Sequence, residues 1–206
     1  MGFIIAALKI IIILGFLVLI HETGHFLVAR LCKVKVNEFS IGFGPVLWKK
    51  ETEKTKYMVR LIPLGGYVSM LGEEERSEEE GSFSKASIPK KIAIVAAGGL
   101  VNIVFALILY IIIATILTGN MAKAITSTGN FVMAMVESIK LIFTGGVTVN
   151  DFMGPIGISQ VVAQTSRLLD FFYIMALVSM SLGVTNLLPF PPLDGGKILI
   201  YIIELI

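Results

Sequence analysis

Charge is scarce in this 206-residue chain and histidine scarcer still: 16% of the residues are charged against 55% hydrophobic, and there are two histidines. Ordinary soluble domains carry about 25% charged residues. With a positive mean hydropathy besides, the chain reads as an integral membrane protein. The formal net charge of +2 is small and scattered, and no basic stripe interleaves with aromatics, which excludes nucleic acid as a partner. The single cysteine, Cys32, excludes an intrachain disulfide framework and a thiolate-dominated metal site. A basic leader is also missing. MGFIIAALKIIIILGFLVLI holds one lysine, at position 9, and runs directly into the next motif, so the segment is expected to be retained as a span rather than cleaved as a signal peptide.

What is present is apolar runs. Residues 3–31 form the first, and at 1.5 Å per residue the start lies roughly 30 Å, one hydrocarbon thickness, from position 21. Residues 92–117 contain no charge at all and predict a second, tilted span. Residues 171–193 predict a third, broken at its end by Pro189, Pro191 and Pro192, where lost backbone donors call for unwound chain. A fourth segment starts at 196 and reaches only 206, a span cut short. The expected fold is therefore membrane α-helical, with about four transmembrane helices.

The charged part of the chain is 32–91, which holds eleven of the seventeen Lys and Arg residues. The positive-inside tendency puts this loop in the cytoplasm and the N-terminus outside. Both the end of the first span and the proline break of the third then reach the cytoplasmic side. Within the loop, β-branched and aromatic residues punctuated by Gly and Pro predict a β-hairpin or sheet over about 34–72, and GEEERSEEEG at 72–81 reads as a solvated loop. FVMAMVESIKLIF at 131–143 is too short to cross and predicts an interfacial helix.

Both histidines, His21 and His25, lie in HETGH inside the first run. A spacing of four puts both imidazoles on one helical face, able to ligate one metal ion, with Glu22 beside them as a general base. Ionisable groups at membrane depth cost several kcal/mol unless they pair, ligate or face a cavity, which favours function over accident. A catalytic zinc site ordinarily has three protein ligands, and no third histidine exists. Asp194, in NLLPFPPLDGG at 186–196, is the leading third ligand: it follows the proline break and falls on the histidines' side of the membrane. Its alternative role is to cap the following helix. Glu204 and Cys32 are weaker candidates, the latter more readily a small buried hydrophobe.

HETGH in the first span, AGGLVN at 97–102 in the second and NLLPFPPLDGG in the third resemble the site-2 protease family of intramembrane zinc metalloproteases, along essentially the whole chain and closest to its bacterial, regulator-of-sigma-E-protease-like members. The resemblance implies one zinc per chain held by His21, His25 and Asp194, with Glu22 activating the attacking water. The substrate it implies is the transmembrane segment of a single-pass protein: an anti-sigma factor, a pro-protein or a signal-peptide remnant. It further implies that Asn186, and with it Asn102, holds substrate backbone or the developing oxyanion, while by spacing both asparagines serve equally as helix-to-helix hydrogen-bonding residues. The region around GFGPVLWKK and IPLGGYVSML resembles the family's membrane-associated β region, which presents substrate as a strand. A bacterial inner membrane is the implied location. One departure concerns the connection 118–170, which has no room for the PDZ domain of many bacterial members, since that needs on the order of 80–100 residues. A metal-binding transporter and a catalytically idle adaptor are the competing classes. The first expects ionisable groups along several spans, which 92–117 lacks; the second expects a replaced Glu22 or ligand.

Overall fold

The computed structural model describes residues 2–145, 161–162, 165 and 167–205. Its elements are helix α1 (Gly2–Leu31), strands β1 (Val36–Glu51) and β2 (Lys56–Met70), and helices α2 (Ile88–Thr118), α3 (Met121–Thr144), α4 (Leu168–Asn186) and α5 (Asp194–Ile203). Three of them, Ile4–Leu31 within α1, α2 and α4, are long and apolar enough to cross a membrane. The segment expected to begin a fourth span is the ten-residue α5, which at 1.5 Å per residue covers roughly half a bilayer core. The third span also ends earlier than the charge-free run, at Asn186. Pro189 and the pair Pro191–Pro192 keep 187–193 out of helix by removing backbone donors.

The chain divides into two compact units, Met1–Ile10 with Val104–Ser181, and Ile11–Ile103 with Leu182–Ile206. In the first, Tyr110 of α2 stacks on Phe131 of α3 with ring centroids 4.4 Å apart and pairs its hydroxyl with Ser127 Oγ at 3.1 Å. The lone lysine of the first span is not stranded there: Lys9 Nζ donates to the Thr165 carbonyl at 2.7 Å. The interfacial segment expected at 131–143 belongs to a longer helix, α3, which starts ten residues earlier. Asn120 caps it by accepting from Lys123 N. Thr, Ser, Gly and Asn in 121–130 lower helix propensity, which masked that first half in the sequence.

The second unit holds the β-hairpin and the candidate site residues. β1 and β2 pair antiparallel, and their register shows each strand doubling back on itself. Residues Glu38–Ile41 pair on one side with Gly66–Ser69 and on the other with Lys56–Val59, while Trp48–Glu51 flank Lys56–Val59. In β1 the bend falls at Gly42 and Gly44, with φ of 85° and 82°, values that glycine adopts without steric cost. Among the described residues the stretch Gly66–Met70 pairs on one side alone, which makes it an open edge. The hairpin lies along α1: Phe26 and Phe39 meet edge to face at 5.3 Å, and eleven residues back along the helix a Cβ on Gly15 would stand 2.7 Å from the Pro63 carbonyl oxygen. That travel is roughly 16 Å of helix axis. Phe43, Leu47, Trp48, Leu61, Ile62 and Leu64 are left exposed around the bends, a surface suited to lipid rather than water. Inside this unit Ala29, Val34, Val36, Met70, Phe83, Ile94 and Val95 form a buried cluster that ties the hairpin base to α1 and α2.

Candidate metal centre

α1 runs without interruption through HETGH, so His21 and His25 project from one face a turn apart. Their rings meet at 82° with centroids 4.7 Å apart, and their Nε2 atoms converge to 3.1 Å. Asp194 opens α5 and brings Oδ2 to 3.2 Å from His21 Nε2 and 3.4 Å from His25 Nε2. The two glycines after it make this approach feasible. A Cβ on Gly195 would lie 2.2 Å from the Leu188 carbonyl oxygen, and one on Gly196 2.9 Å from Phe190 C.

Three donor atoms at 3.1–3.4 Å from one another match the edge of a tetrahedron around zinc, roughly 3.3 Å for bonds of 2.0–2.1 Å. Asp194 Oδ2 is buried without a hydrogen-bond partner, an expensive state for a carboxylate oxygen unless a cation satisfies it. Gly98 of α2 leaves the space: a Cβ there would sit 2.4 Å from His25 Nε2 and 2.7 Å from His21 Nε2. Among the described residues, His21, His25 and Asp194 form the one group placed to hold a metal ion, and they fit zinc.

Behind the donors, α2 contacts the opposite nitrogens of both rings. His25 Nδ1–H donates to the Ile94 carbonyl at 2.8 Å, and the Asn102 amide lies 3.5 Å from His21 Nδ1. Asn102 is 1% exposed. It therefore sits on the Nδ1 side of the His21 ring, away from the converging Nε2 and Oδ2 atoms. Asn186, the last residue of α4, is half-buried and does not line the cavity over the histidines. Glu204 ends α5 in an exposed position, and Cys32 lines a separate cavity with Lys33 and Lys35.

Glu22 shares with the three donors a cavity of about 500 Å³, whose wall includes Glu38, Tyr67, Glu73 and Lys197. The open edge Gly66–Met70 borders it: a Cβ on Gly66 would come within 3.2 Å of Glu22 Cγ. Arg60 braces this wall, donating from Nε to Ser40 Oγ at 3.0 Å and from Nη2 to Tyr67 OH at 3.2 Å, while Tyr67 OH donates to Glu38 Oε2 at 2.8 Å. Burial, and then the carboxylate it donates to, raise the Tyr67 phenol above its ordinary range, so it stays a donor. Lys197, one turn past Asp194, reaches Glu73 Oε1 at 3.1 Å and ties α5 to the loop after β2. Sequence reasoning missed Gly98, Gly66, Tyr67 and the Glu73–Lys197 pair. For Gly98 the signal was a Gly-Gly pair at the middle of an apolar helix, which is costly in helix propensity and hence a mark of close approach.

The family model of peptidase family M50 matches residues 9–206. The chain belongs to peptidase family M50, the site-2 proteases. Its members are metalloproteases, and His21, His25 and Asp194 are placed so that they could form the metal site. A protein of Clostridium acetobutylicum that carries a zinc metalloprotease name is 27% identical over 294 aligned positions, covering 95% of this chain and 86% of its own length. A Fusobacterium nucleatum protein with a zinc metalloprotease name is 26% identical, covering 95% of this chain and 87% of its own. The regulator of sigma-E protease RseP of Escherichia coli is 47% identical over 108 residues, 48% of this chain and 23% of that protein. Because 294 aligned positions exceed the 206 residues of the chain, the C. acetobutylicum protein carries at least 88 residues (294 less 206) inside the matched region that have no counterpart in this member of family M50.

Proposed function

We propose that this M50 member is a zinc-dependent endopeptidase that cleaves the transmembrane segments of single-pass membrane proteins within the bilayer. The observation that carries the reading is the convergence of His21, His25 and Asp194 beside Glu22 on an apolar span, next to an open strand edge. His21, His25 and Asp194 would hold the zinc, which when bound polarises the scissile carbonyl and lowers the pKa of water toward ~7. Glu22 takes the proton from the attacking water and passes it to the leaving amine as the C–N bond breaks.

A helical substrate hides its carbonyls in backbone bonds and must unwind first. The edge Gly66–Met70 offers replacement partners for an extended segment, and Gly or Pro near the scissile bond lowers the cost of unwinding. Asn186 is the candidate for holding substrate backbone or the developing oxyanion. Water reaches Glu22 through the cavity walled by Glu38, Tyr67 and Glu73. The charge bias of 32–91 favours an inner-membrane protein with its N-terminus outside and the site opening toward the cytoplasm. The substrate is of the anti-sigma factor, pro-protein or signal-peptide-remnant kind. Without the internal 88 or more residues of the clostridial relative, a size filter of the PDZ type is not expected.

The test is cleavage of a model single-pass substrate by the purified protein in liposomes, with and without chelator. One zinc per chain with chelator-sensitive cleavage, lost in Glu22→Gln while the zinc stays bound, is the expected result. Turnover by Glu22→Gln would overturn the assignment, and zinc without proteolysis would revive a transporter or an adaptor.

A further inference from the structure

From the geometry behind the histidines we infer that Asn102 is a positioning residue for the metal site: its amide oxygen accepts from His21 Nδ1–H and so fixes the tautomer that leaves Nε2 bare for zinc. The inference rests on the zinc-site reading above. A histidine can ligate through Nε2 only when that nitrogen carries no proton, and the partner of the other ring nitrogen decides this. For His25 the partner is a backbone carbonyl, Ile94 O at 2.8 Å, which can only accept. His25 is therefore locked with its proton on Nδ1. Among the described residues His21 has no such carbonyl and meets the Asn102 amide, with Nδ2 placed 3.5 Å from Nδ1; amide N and O are interchangeable by a half-turn.

An amide offers both a donor and an acceptor, and only one choice suits a metal site. If the NH2 group donates to Nδ1, the proton moves to Nε2, between His25 Nε2 and Asp194 Oδ2, and closes the site. If the amide turns by half a rotation, Oδ1 takes the Nδ1–H and the three donors stay available. Placement supports the second choice. Ile94, Gly98 and Asn102 follow one another at intervals of four on α2, one stripe on one face. The first gives a carbonyl to His25, the second gives room at both Nε2 atoms, and the third gives an amide to His21. At 1% exposure Asn102 does not line the cavity over the histidines, and an amide buried in an apolar helix is costly unless hydrogen-bonded.

Because the chain has two histidines, the tautomers can be read directly. Histidine-selective 15N labelling of the full chain in detergent micelles, stripped of metal and held well above the ordinary histidine pKa of ~6.5, should show both rings protonated on Nδ1. A free neutral histidine carries its proton mainly on Nε2, so this outcome is not the default. Zinc affinity by chelator competition should fall about 10–100-fold in Asn102→Leu and stay close to wild type in Asn102→Asp, which keeps the acceptor and loses the donor. A wild-type His21 protonated on Nε2, an unchanged affinity in Asn102→Leu, or a loss in Asn102→Asp as large as in Asn102→Leu would each overturn the inference. The wild-type spectrum decides even if Asn102→Leu fails to fold. None of these readouts involves proteolysis, so failure of the substrate assignment leaves them standing.

Discussion

α2 carries two stripes of the same period and opposite purpose. Ile94, Gly98 and Asn102 are buried and serve the histidines, whereas Leu100, Val104, Ile108, Ile112 and Ile116 are each about half exposed. Nothing in the composition of 92–117 separates them, since the whole run is uncharged. Where lipid is the solvent, an apolar side chain is as well placed outside as inside, so burial is no longer selected by hydrophobicity. Small residues and polar atoms take over that role. On α1, Gly24 meets the Ala97 carbonyl of α2, where a Cβ would lie 2.6 Å from the oxygen, and Gly183 of α4 meets Gly99 at the same distance. One α2 face is thus shaped by backbone contacts and the other by the length of hydrocarbon it must match.

Adding a single methyl to the inner stripe is the strongest way to break this contrast. Gly98→Ala puts a carbon between the two Nε2 atoms, and zinc content per chain should fall from one to near none by metal analysis; a fully loaded variant would mean the stripe does not shape the site. Gly183→Leu overfills the α2–α4 approach and should lower unfolding stability in detergent by about 1–3 kcal/mol, with zinc retained in the folded fraction. Lys197→Met removes an ion pair whose lysine is half exposed, so about 1 kcal/mol or less is at stake. A fall in zinc affinity well beyond about fivefold, the equivalent of 1 kcal/mol, would show that Glu73 and Lys197 steer Asp194 rather than decorate the rim. Ile108→Ala, on the outer stripe, should change stability by about 0.5 kcal/mol or less and leave zinc content at one; a large effect would place that stripe in a protein interface.

Much of the site could be read from HETGH and LDGG because helical periodicity and the cost of charge at membrane depth act locally. His21, His25 and Glu22 needed one turn of helix, and Asp194 needed the further inference that the proline break and the histidines share a side. Gly98 and Gly66 could not be placed in the same way, because a glycine marks a close approach without naming the partner. Asn102 was expected either to hold substrate backbone or to bond helix to helix, and the fold brings its amide to 3.5 Å from His21 Nδ1. Spacing along a helix gives the face, but the neighbour that the face meets depends on how helices cross. The first half of α3 was hidden by residues of low propensity that a cap at Asn120 and buried contacts at Ala124 and Thr128 override.

The sequence by itself determined the class of molecule, three of the roughly four spans expected of it, the hairpin and which residue types could ligate a metal, because hydropathy, period and ligand type are properties of short segments. Only the tertiary structure decided that the three side chains converge to a zinc-sized triangle, that Gly98 leaves the room for it and that α2 meets the outer nitrogen of both rings. These depend on contacts between residues 69 or more positions apart, and in a chain apolar on nearly every side no local pattern specifies which surfaces meet.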